Sequence, residues 1–540
     1  MDLRLPAAEP TEAERAAVDA VVGRDGSGNG RVARADRGRR HLLLPALRAA
    51  QRRVGWVSEG ALGYASRRLD VPPADAYGVA SFYALIALEP RPPDVLHVCT
   101  DLACALKGVE VPEGALPSPC LGLCERAPAS LRVIAGESPR EIQLPEIGPP
   151  LPQTGDPTLR LLRRIGEGID PTSLDAYGGF AALERARELG PEGVRKAVAD
   201  AGLLGRGGAA FPTGTKWDAV AKQPIRPHYL VCNGDESEPG TFKDRVLMEN
   251  DPFALIEAMT IAAYATGCEH GYVYVRAEYP LAHERITNAI EQAREVGLLG
   301  DFEIELRVGA GAYVCGEETA LFQSIEGYRG EPRNKPPFPV EVGLFGKPTV
   351  ENNVETLVNV PAILLGDVRD TRLFCVSGDV GRPGLYEVEL GTPLRELLEL
   401  AEAETPKAVL LGGAAGSFLR HDQLDLPLSF EGARDAGVTL GSGVVLVFGA
   451  DADLVAAVLR IAEFFRDESC GQCVPCRVGV IRQQEALQRL MNGAAIGSAA
   501  QEIALLREMG QAMRDASICG LGQTASSALE SALQRWSIFS

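Results

Sequence analysis

Apolar residues recur at helical spacing early in the chain, first at Leu42, Leu43, Leu47 and Ala50 and then at Leu62, Ala65 and Leu69. Both patterns predict amphipathic helices. An acidic helical candidate covers 11–22, and a Gly/Arg/Asp-rich stretch, 23–40, follows without apolar periodicity. Residues 1–40 are therefore expected to form a mobile N-terminal segment. Pro72-Pro73 breaks the helical run, and 74–85 reads as one more short helix, closing a helical subdomain over 41–90. A strand is expected over 94–100, within a unit spanning 91–145. The prolines clustered between 145 and 157 predict a stiff linker, placed at 146–165.

From 171 to 203 the pattern is helical again. Strands are then expected at 229–232, 271–275 and 302–308, with helices at 252–265 and 282–296 between them. Such alternation builds a parallel α/β sheet, assigned to 166–365. Residues 366–450 change character. Short strands at 373–377, 385–390, 408–411 and 444–448 surround one helix at 394–401, which describes a small α+β module with no chemistry of its own. The remainder, 451–540, reads as helical.

A chain of 540 residues holds about three to five such domains. Its net charge of -19 argues against nucleic acid and anionic membrane surfaces as partners. No apolar run approaches the length of a membrane span, and Met1-Asp2-Leu3-Arg4-Leu5-Pro6 lacks the apolar core of a signal peptide. A cytoplasmic location, without direct membrane insertion, is expected. In a reducing compartment, twelve cysteines point to metal or redox work rather than disulfides.

Three of those thiols lie in Glu468-Ser469-Cys470-Gly471-Gln472-Cys473-Val474-Pro475-Cys476-Arg477, and Cys519 follows in Ser517-Ile518-Cys519-Gly520. A C-x2-C-x2-C run with one distant cysteine suits a 4Fe–4S cluster. Zinc, which prefers separated pairs, and free thiols are the alternatives. A second set is spaced as two pairs, Cys99 with Cys104 and Cys120 with Cys124. Two pairs suit a 2Fe–2S rhomb, and they suit zinc as well. Cys232, Cys268, Cys315 and Cys375 fall outside both patterns and read as buried or free thiols.

The second chemical feature is Gly205-Arg206-Gly207-Gly208-Ala209-Ala210-Phe211-Pro212-Thr213-Gly214-Thr215-Lys216-Trp217. It partly mimics a dinucleotide fingerprint, but a helix rather than a strand precedes it, and no Gly-Lys-Ser/Thr makes it a P-loop. A loop free of side chains lets backbone approach a flat or phosphorylated ligand, with Arg206 and Lys216 supplying positive charge. Polar runs follow two predicted strand ends, Asn233-Gly234-Asp235-Glu236-Ser237-Glu238 and Tyr313-Val314-Cys315-Gly316-Glu317-Glu318-Thr319. Strand ends are where ligands bind in such sheets, and carboxylates and amides there can accept bonds from ribityl or ribose hydroxyls. The plainer readings are a tight turn and solvated loops.

Together with Lys335-Pro336-Pro337-Phe338-Pro339 and Asn352-Asn353-Val354-Glu355-Thr356, these motifs occur in the order seen in one family. Residues 165–535 resemble the FMN- and NADH-binding flavoprotein subunit of respiratory complex I, also used by NAD-reducing hydrogenases and NAD-dependent formate dehydrogenases. The first 150 residues resemble the separate, thioredoxin-like 2Fe–2S subunit of the same enzymes, including Gly78-Val79-Ala80-Ser81-Phe82-Tyr83. The resemblance implies a multidomain α/β fold: a helical plus thioredoxin-like N-terminal part, a Rossmann-like FMN domain, a small ubiquitin-like (SLBB) domain and a C-terminal helical bundle.

It also implies roles. Gly205, Arg206, Gly207, Lys216, Asn233, Asp235, Glu236, Gly316, Glu317, Asn352, Asn353 and Thr356 would hold FMN. Phe211, Glu238, Glu318, Lys335 and Phe338 would line the NADH pocket, with Glu238 and Glu318 supporting hydride transfer and no side chain acting as acid or nucleophile. Cys470, Cys473, Cys476 and Cys519 would ligate 4Fe–4S, and Cys99, Cys104, Cys120 and Cys124 would ligate 2Fe–2S. The implied activity is an NADH dehydrogenase module, oxidising NADH or reducing NAD and exchanging electrons with an iron–sulfur-carrying subunit of a larger complex. An iron–sulfur scaffold with a dead flavin site and a zinc-stabilised binding protein are the rival classes.

Overall fold

The computed structural model describes residues 8–23, 38–146, 148, 150–536 and 538–539. Within the segment 1–40, the helix Glu12–Val22 is packed, with Thr11 forming a capping box with Glu14 and with Val18 and Val22 buried against the helix Leu43–Val54. Residues 1–7 and 24–37, on which the rest of the expected mobile segment falls, lie outside the described residues. The helices Leu43–Val54, Glu59–Leu69 and Pro73–Ala80 follow, the last shorter than the sequence pattern suggests. Their apolar stripes bury against Leu321, Phe322 and Ile325 of the sheet domain downstream.

Strands β1 (Asp94–Cys99), β2 (Leu116–Ser118), β3 (Ser130–Ile134) and β4 (Arg140–Leu144) form a sheet in the order β2-β1-β3-β4, mixed through the parallel β1–β2 pair. The proline-rich stretch after it is a strap. Leu385 donates its N–H to Pro150, Gln153 pairs with the backbone of Glu387, and Leu159, Leu161 and Leu162 are buried.

The central domain carries four parallel strands, β5 (His228–Gly234), β6 (Cys268–Val275), β7 (Glu303–Val308) and β8 (Thr349–Asn353), in the order β7-β6-β5-β8. The helix Pro252–Thr266 is apolar all round and almost wholly buried, as a helix packed on every side must be. Because β6 lies on one side of β5 and β8 on the other, the connections diverge at the C-terminal end of β5. Open α/β sheets place their ligand crevice at such a switch point.

A second mixed sheet, β10-β9-β13-β11-β12, comprises β9 (Thr371–Gly378), β10 (Gly384–Glu389), β11 (Ala408–Leu411), β12 (Ser417–Leu419) and β13 (Val444–Phe448). Helices Leu454–Glu468, Val474–Met491 and Ala499–Ala516, with two shorter ones, complete the chain.

Candidate functional site

The glycine loop closes on itself after the helix Ala181–Asp200. Thr213 donates its N–H to Leu203 (2.9 Å) and Gly205 donates to Phe211 (2.9 Å), so residues 205–211 form a tied-off loop over the C-terminal end of β8. There the Arg206 N–H bonds Thr356 Oγ1 (2.8 Å), Trp217 Nε1 bonds Asn352 Oδ1 (2.8 Å), and a side chain at Gly207 would crowd Asn353. Glycine at 207 is thus favoured by close approach. Lys216 reaches across the crevice to the carbonyl (2.8 Å) and carboxylate (3.3 Å) of Glu351.

The loop after β5 supplies the opposite wall. Asn233 Nδ2 donates to Gly316 (2.9 Å) and to Glu351 (2.8 Å), joining three strand ends. Asp235 is held well above the usual carboxylate range by burial, and its Oδ2 has no partner among the described residues. The sequence pattern does not single out Glu351, although it touches Lys216 and Asn233. It sits on β8, a five-residue strand whose polar Glu351-Asn352-Asn353 end hides its strand character.

Two acidic residues of the motif do structural work. Glu236 accepts from Thr241 Oγ1, the Asp244 N–H, the Arg245 N–H and Tyr279 O–H, which fills the acceptor sites of one carboxylate. It anchors the loop, with the Tyr279 hydroxyl shared between its carboxylate and its backbone carbonyl, both at 3.2 Å. Glu317 caps the helix Glu318–Ile325 through the N–H groups of Thr319 and Ala320, with its other oxygen on Lys335 (2.8 Å). Lys335 also meets Glu318 (2.5 Å); burial opposes its charge, but the two glutamates outweigh burial and hold its pKa up. Phe211 and Phe338 stand about half exposed, which leaves both rings open to a ligand.

The reading that 366–450 carries no chemistry is corrected by Glu238. Its buried carboxylate accepts from the Ala415 N–H (3.0 Å) and Ser442 Oγ (2.6 Å), and Gly413 leaves no room for a side chain beside it. The β9–β13 module therefore closes one side of the crevice. Arg206, expected to offer its charge to a ligand, pairs with Asp370 of that module, yet its Nε and Nη1 are buried without partner among the described residues. Those orphan donors, with the Thr356-bound loop beside them, fit an anionic group such as a flavin phosphate.

The cysteines gather at helix starts. Cys473 is the N-cap residue of Val474–Met491, Cys476 lies in its first turn, and Cys519 is the N-cap residue of Gly520–Thr524. Helix N-termini favour the negative charge that a thiolate or an anionic cluster brings. The Cys470, Cys473 and Cys476 thiols act electrostatically on one another, as does Cys470 on Cys519. Burial pushes Cys476 up to about 11 and Cys519 up to about 12, so ionisation there needs the positive charge that iron provides. This cluster of thiols abuts the crevice: Glu468 accepts from the Tyr313 N–H (2.7 Å), and Tyr313 lies 5.0 Å from Phe464, ring to ring. Nothing in the sequence marks Tyr313, which is one residue in a polar run.

The second thiol set is wholly buried. Cys99 ends β1, Cys104 lies in the helix Leu102–Leu106, and Cys120 and Cys124 approach to 3.4 Å. Among the described residues no three His, Cys, Asp or Glu side chains close on one point as around a single ion. The fit to clusters rests on the donor set, four thiols gathered at each of two places. The loop bearing Cys120 and Cys124 is bolted to the central domain: Arg276 donates to the Cys120 carbonyl (2.5 Å), and Arg245 to that of Gly122 (3.0 Å). Gly122 has φ +65°, and a Cβ there would run into Tyr279. Gly122→Ala is expected to cost about 2–4 kcal/mol and to show as loss of the 2Fe–2S electron paramagnetic resonance signal with the 4Fe–4S signal retained.

Fold and site together define a redox protein of three cofactor-bearing parts on one chain. Family models match four stretches in order: a thioredoxin-like [2Fe-2S] ferredoxin over residues 30–113, the Nuo51 FMN-binding domain over 198–362, an SLBB domain over 373–409, and the NADH-ubiquinone oxidoreductase-F iron-sulfur binding region over 456–537. The first includes Cys99 and Cys104 and stops short of Cys120 and Cys124, which the fold brings to them. The chain is 42% identical to the F subunit of NADH-quinone oxidoreductase from Aquifex aeolicus over 406 residues, 70% of this chain and 93% of that protein. It is 40% identical to the HndC subunit of NADP-reducing hydrogenase from Solidesulfovibrio fructosivorans, over 68% of this chain and 79% of that one. A crystal structure of NAD+-reducing [NiFe]-hydrogenase superposes with a TM-score of 0.77 at 32% identity, covering 91% of this chain and 92% of that one.

The chain belongs to the family of the NADH-quinone oxidoreductase F subunits, extended by an N-terminal 2Fe–2S part. It has the family's FMN-binding and 4Fe–4S domains together with a thioredoxin-like 2Fe–2S domain, as the resemblance implied, which favours 2Fe–2S over zinc for the paired thiols.

Proposed function

We propose that this chain is the NADH-oxidising, or NAD-reducing, diaphorase module of a larger complex, exchanging electrons with a partner subunit that carries iron–sulfur clusters. The observation that carries the reading is the contact between crevice and thiols: the loop holding Tyr313, Glu317 and Glu318 touches the 4Fe–4S helices through Glu468. Bound flavin would supply the needed conversion, taking two electrons as a hydride and passing them on singly. Gly205, Gly207, Lys216, Asn233, Asp235, Gly316, Asn352, Asn353 and Thr356 would hold it, with Arg206 at the anionic end; Glu236 and Glu317 act by fixing the loops. Phe211, Phe338, Glu238, Glu318 and Lys335 would receive the nicotinamide nucleotide. No helix among the described residues is long and apolar enough to cross a membrane. A cytoplasmic location, in solution or on the inner face of a membrane complex, completes the proposal.

The test separates nucleotide binding from flavin chemistry. Phe211→Ala removes a stacking face worth about 0.5–1.5 kcal/mol, and Lys335→Met removes the cation that bridges Glu317 and Glu318. Each is expected to raise KM for NADH about tenfold, with FMN content unchanged and kcat with ferricyanide nearly so. Unchanged KM in both would overturn the nucleotide assignment, and absence of releasable FMN would overturn the flavin reading.

A further inference from the structure

A cavity of about 50 Å3 lies where the N-terminal helices, the β1–β4 sheet and the central domain meet, and none of the assigned cofactors accounts for it. Its apolar wall is the face of β1 and β3, with Val95, Leu131 and Val133. Its polar wall is cationic. Arg48 and Arg52 come from the helix Leu43–Val54, Arg91 from the segment before β1, and His97 from β1 itself.

The geometry that gathers these groups is specific. The helix ends at Gly55, whose left-handed φ of +97° lets the carbonyls of Arg91 and Pro92 press against it at 3.5 and 3.3 Å from where a Cβ would stand. Arg91 is thereby fixed beside the helix end that carries Arg48 and Arg52. Gln51 locks the neighbouring segment, donating to the Leu85 carbonyl (2.6 Å) and accepting from the Ala87 N–H (2.7 Å).

The charges do not balance. Arg52 pairs with Glu141 (3.3 Å), which is the carboxylate lining the cavity. Glu141 also attracts Arg48, and Glu278, near Arg48 and His97, places one oxygen on Arg276 at 2.6 Å, so two carboxylates face three arginines and a histidine. Among the described residues Arg48 and Arg91 have no hydrogen bond or ion pair, although both are half-buried. Burial lowers the pKa of each below the usual arginine range. Half-buried guanidinium groups lining a cavity are well placed to meet carboxylate or phosphate, to which their planar fork is fitted. Two unmatched ones around a cavity with room for a few waters describe a receptor for a small multivalent anion.

We propose that this cavity is a binding site for a small tetrahedral oxyanion of the phosphate or sulfate class, held by Arg48 and Arg91, which ties the N-terminal helices to the 2Fe–2S domain. The cavity is too small for a nucleotide, which separates it from the crevice described above. None of the residues assigned to flavin, nucleotide or clusters lines it, so its ligand would act on domain docking rather than on the reacting atoms.

The experiment measures thermal unfolding of the FMN-loaded, cluster-replete full chain against inorganic phosphate, with chloride at matched ionic strength as the reference and sulfate as a second probe. A saturable, phosphate-specific rise in midpoint is expected, with sulfate acting similarly. In Arg48→Gln and Arg91→Gln the apparent affinity should fall about tenfold or more, while flavin and cluster spectra stay those of the parent. Lys335→Met, in the nucleotide crevice, should leave the phosphate response intact. The proposal is overturned if phosphate and chloride act alike, or if the arginine variants keep the parent's phosphate response. A response lost in Lys335→Met and kept in the arginine variants would place the anion in the crevice instead.

Discussion

Replacing Cys476 with alanine is expected to abolish electron delivery to the partner subunit while NADH:ferricyanide activity largely survives. Cys476 is the most buried of its four thiols, seated in the first turn of Val474–Met491 and bonded to Ser469 Oγ at 3.3 Å. Loss of an outer partner around a metal site already costs about 10–100-fold in affinity or activity; loss of a ligand itself should bring delivery to below about one hundredth of the parent. Ferricyanide can take electrons at the flavin, before the missing cluster. The check is paired: the 4Fe–4S resonance signal should vanish with the FMN content unchanged. If delivery persists at parental rate without that signal, the cluster is not on the path.

Arg245→Met should detach the 2Fe–2S domain from the central one. Arg245 has no exposed surface, and its guanidinium meets Glu125 (2.5 Å), Glu249 (2.9 Å) and the Gly122 carbonyl (3.0 Å). Arg126 still faces Glu125 in the variant, so Glu249 is the carboxylate left buried and unpaired. Stranding one member of a buried ion pair costs about 3–5 kcal/mol, here read as a fall of roughly 10 °C or more in the temperature at which the 2Fe–2S chromophore is lost. Arg245→Lys, which keeps one charge and loses the fork, should recover part of this. A midpoint within 2–3 °C of the parent, about the effect of a single weak contact, would show that the bridge carries no docking energy.

The parts of this molecule readable from sequence are those encoded by local period and spacing. The alternation of 229–308 emerges as β5, β6 and β7 with their helices, and the cysteine spacing marks both thiol sets before any fold is known. What escapes depends on partners distant in the chain. Lys243-Asp244-Arg245 is a run of three charges, yet all three are buried because Lys243 meets Glu355, Asp244 meets Asn353 and Arg245 meets Glu125, each far away in the chain. Glu236 looks like a ligand carboxylate until its four donors are counted. The module 366–450 looks inert because Ala415 and Ser442 act through a backbone N–H and one hydroxyl on Glu238, neither of which leaves a motif. Strand β8 is hidden by its own function, since the polar end that faces the crevice breaks the apolar pattern of a buried parallel strand.

The decisive test is anaerobic addition of NADH to the purified, FMN-loaded chain without any partner, followed by flavin absorbance and electron paramagnetic resonance on the same sample. NADH is expected to bleach the flavin, with a reduced 4Fe–4S signal appearing in the parent and absent from Cys476→Ala. Flavin bleaching with the 4Fe–4S cluster still oxidised in the parent, or no bleaching in a chain that demonstrably holds FMN, would contradict the proposed electron path.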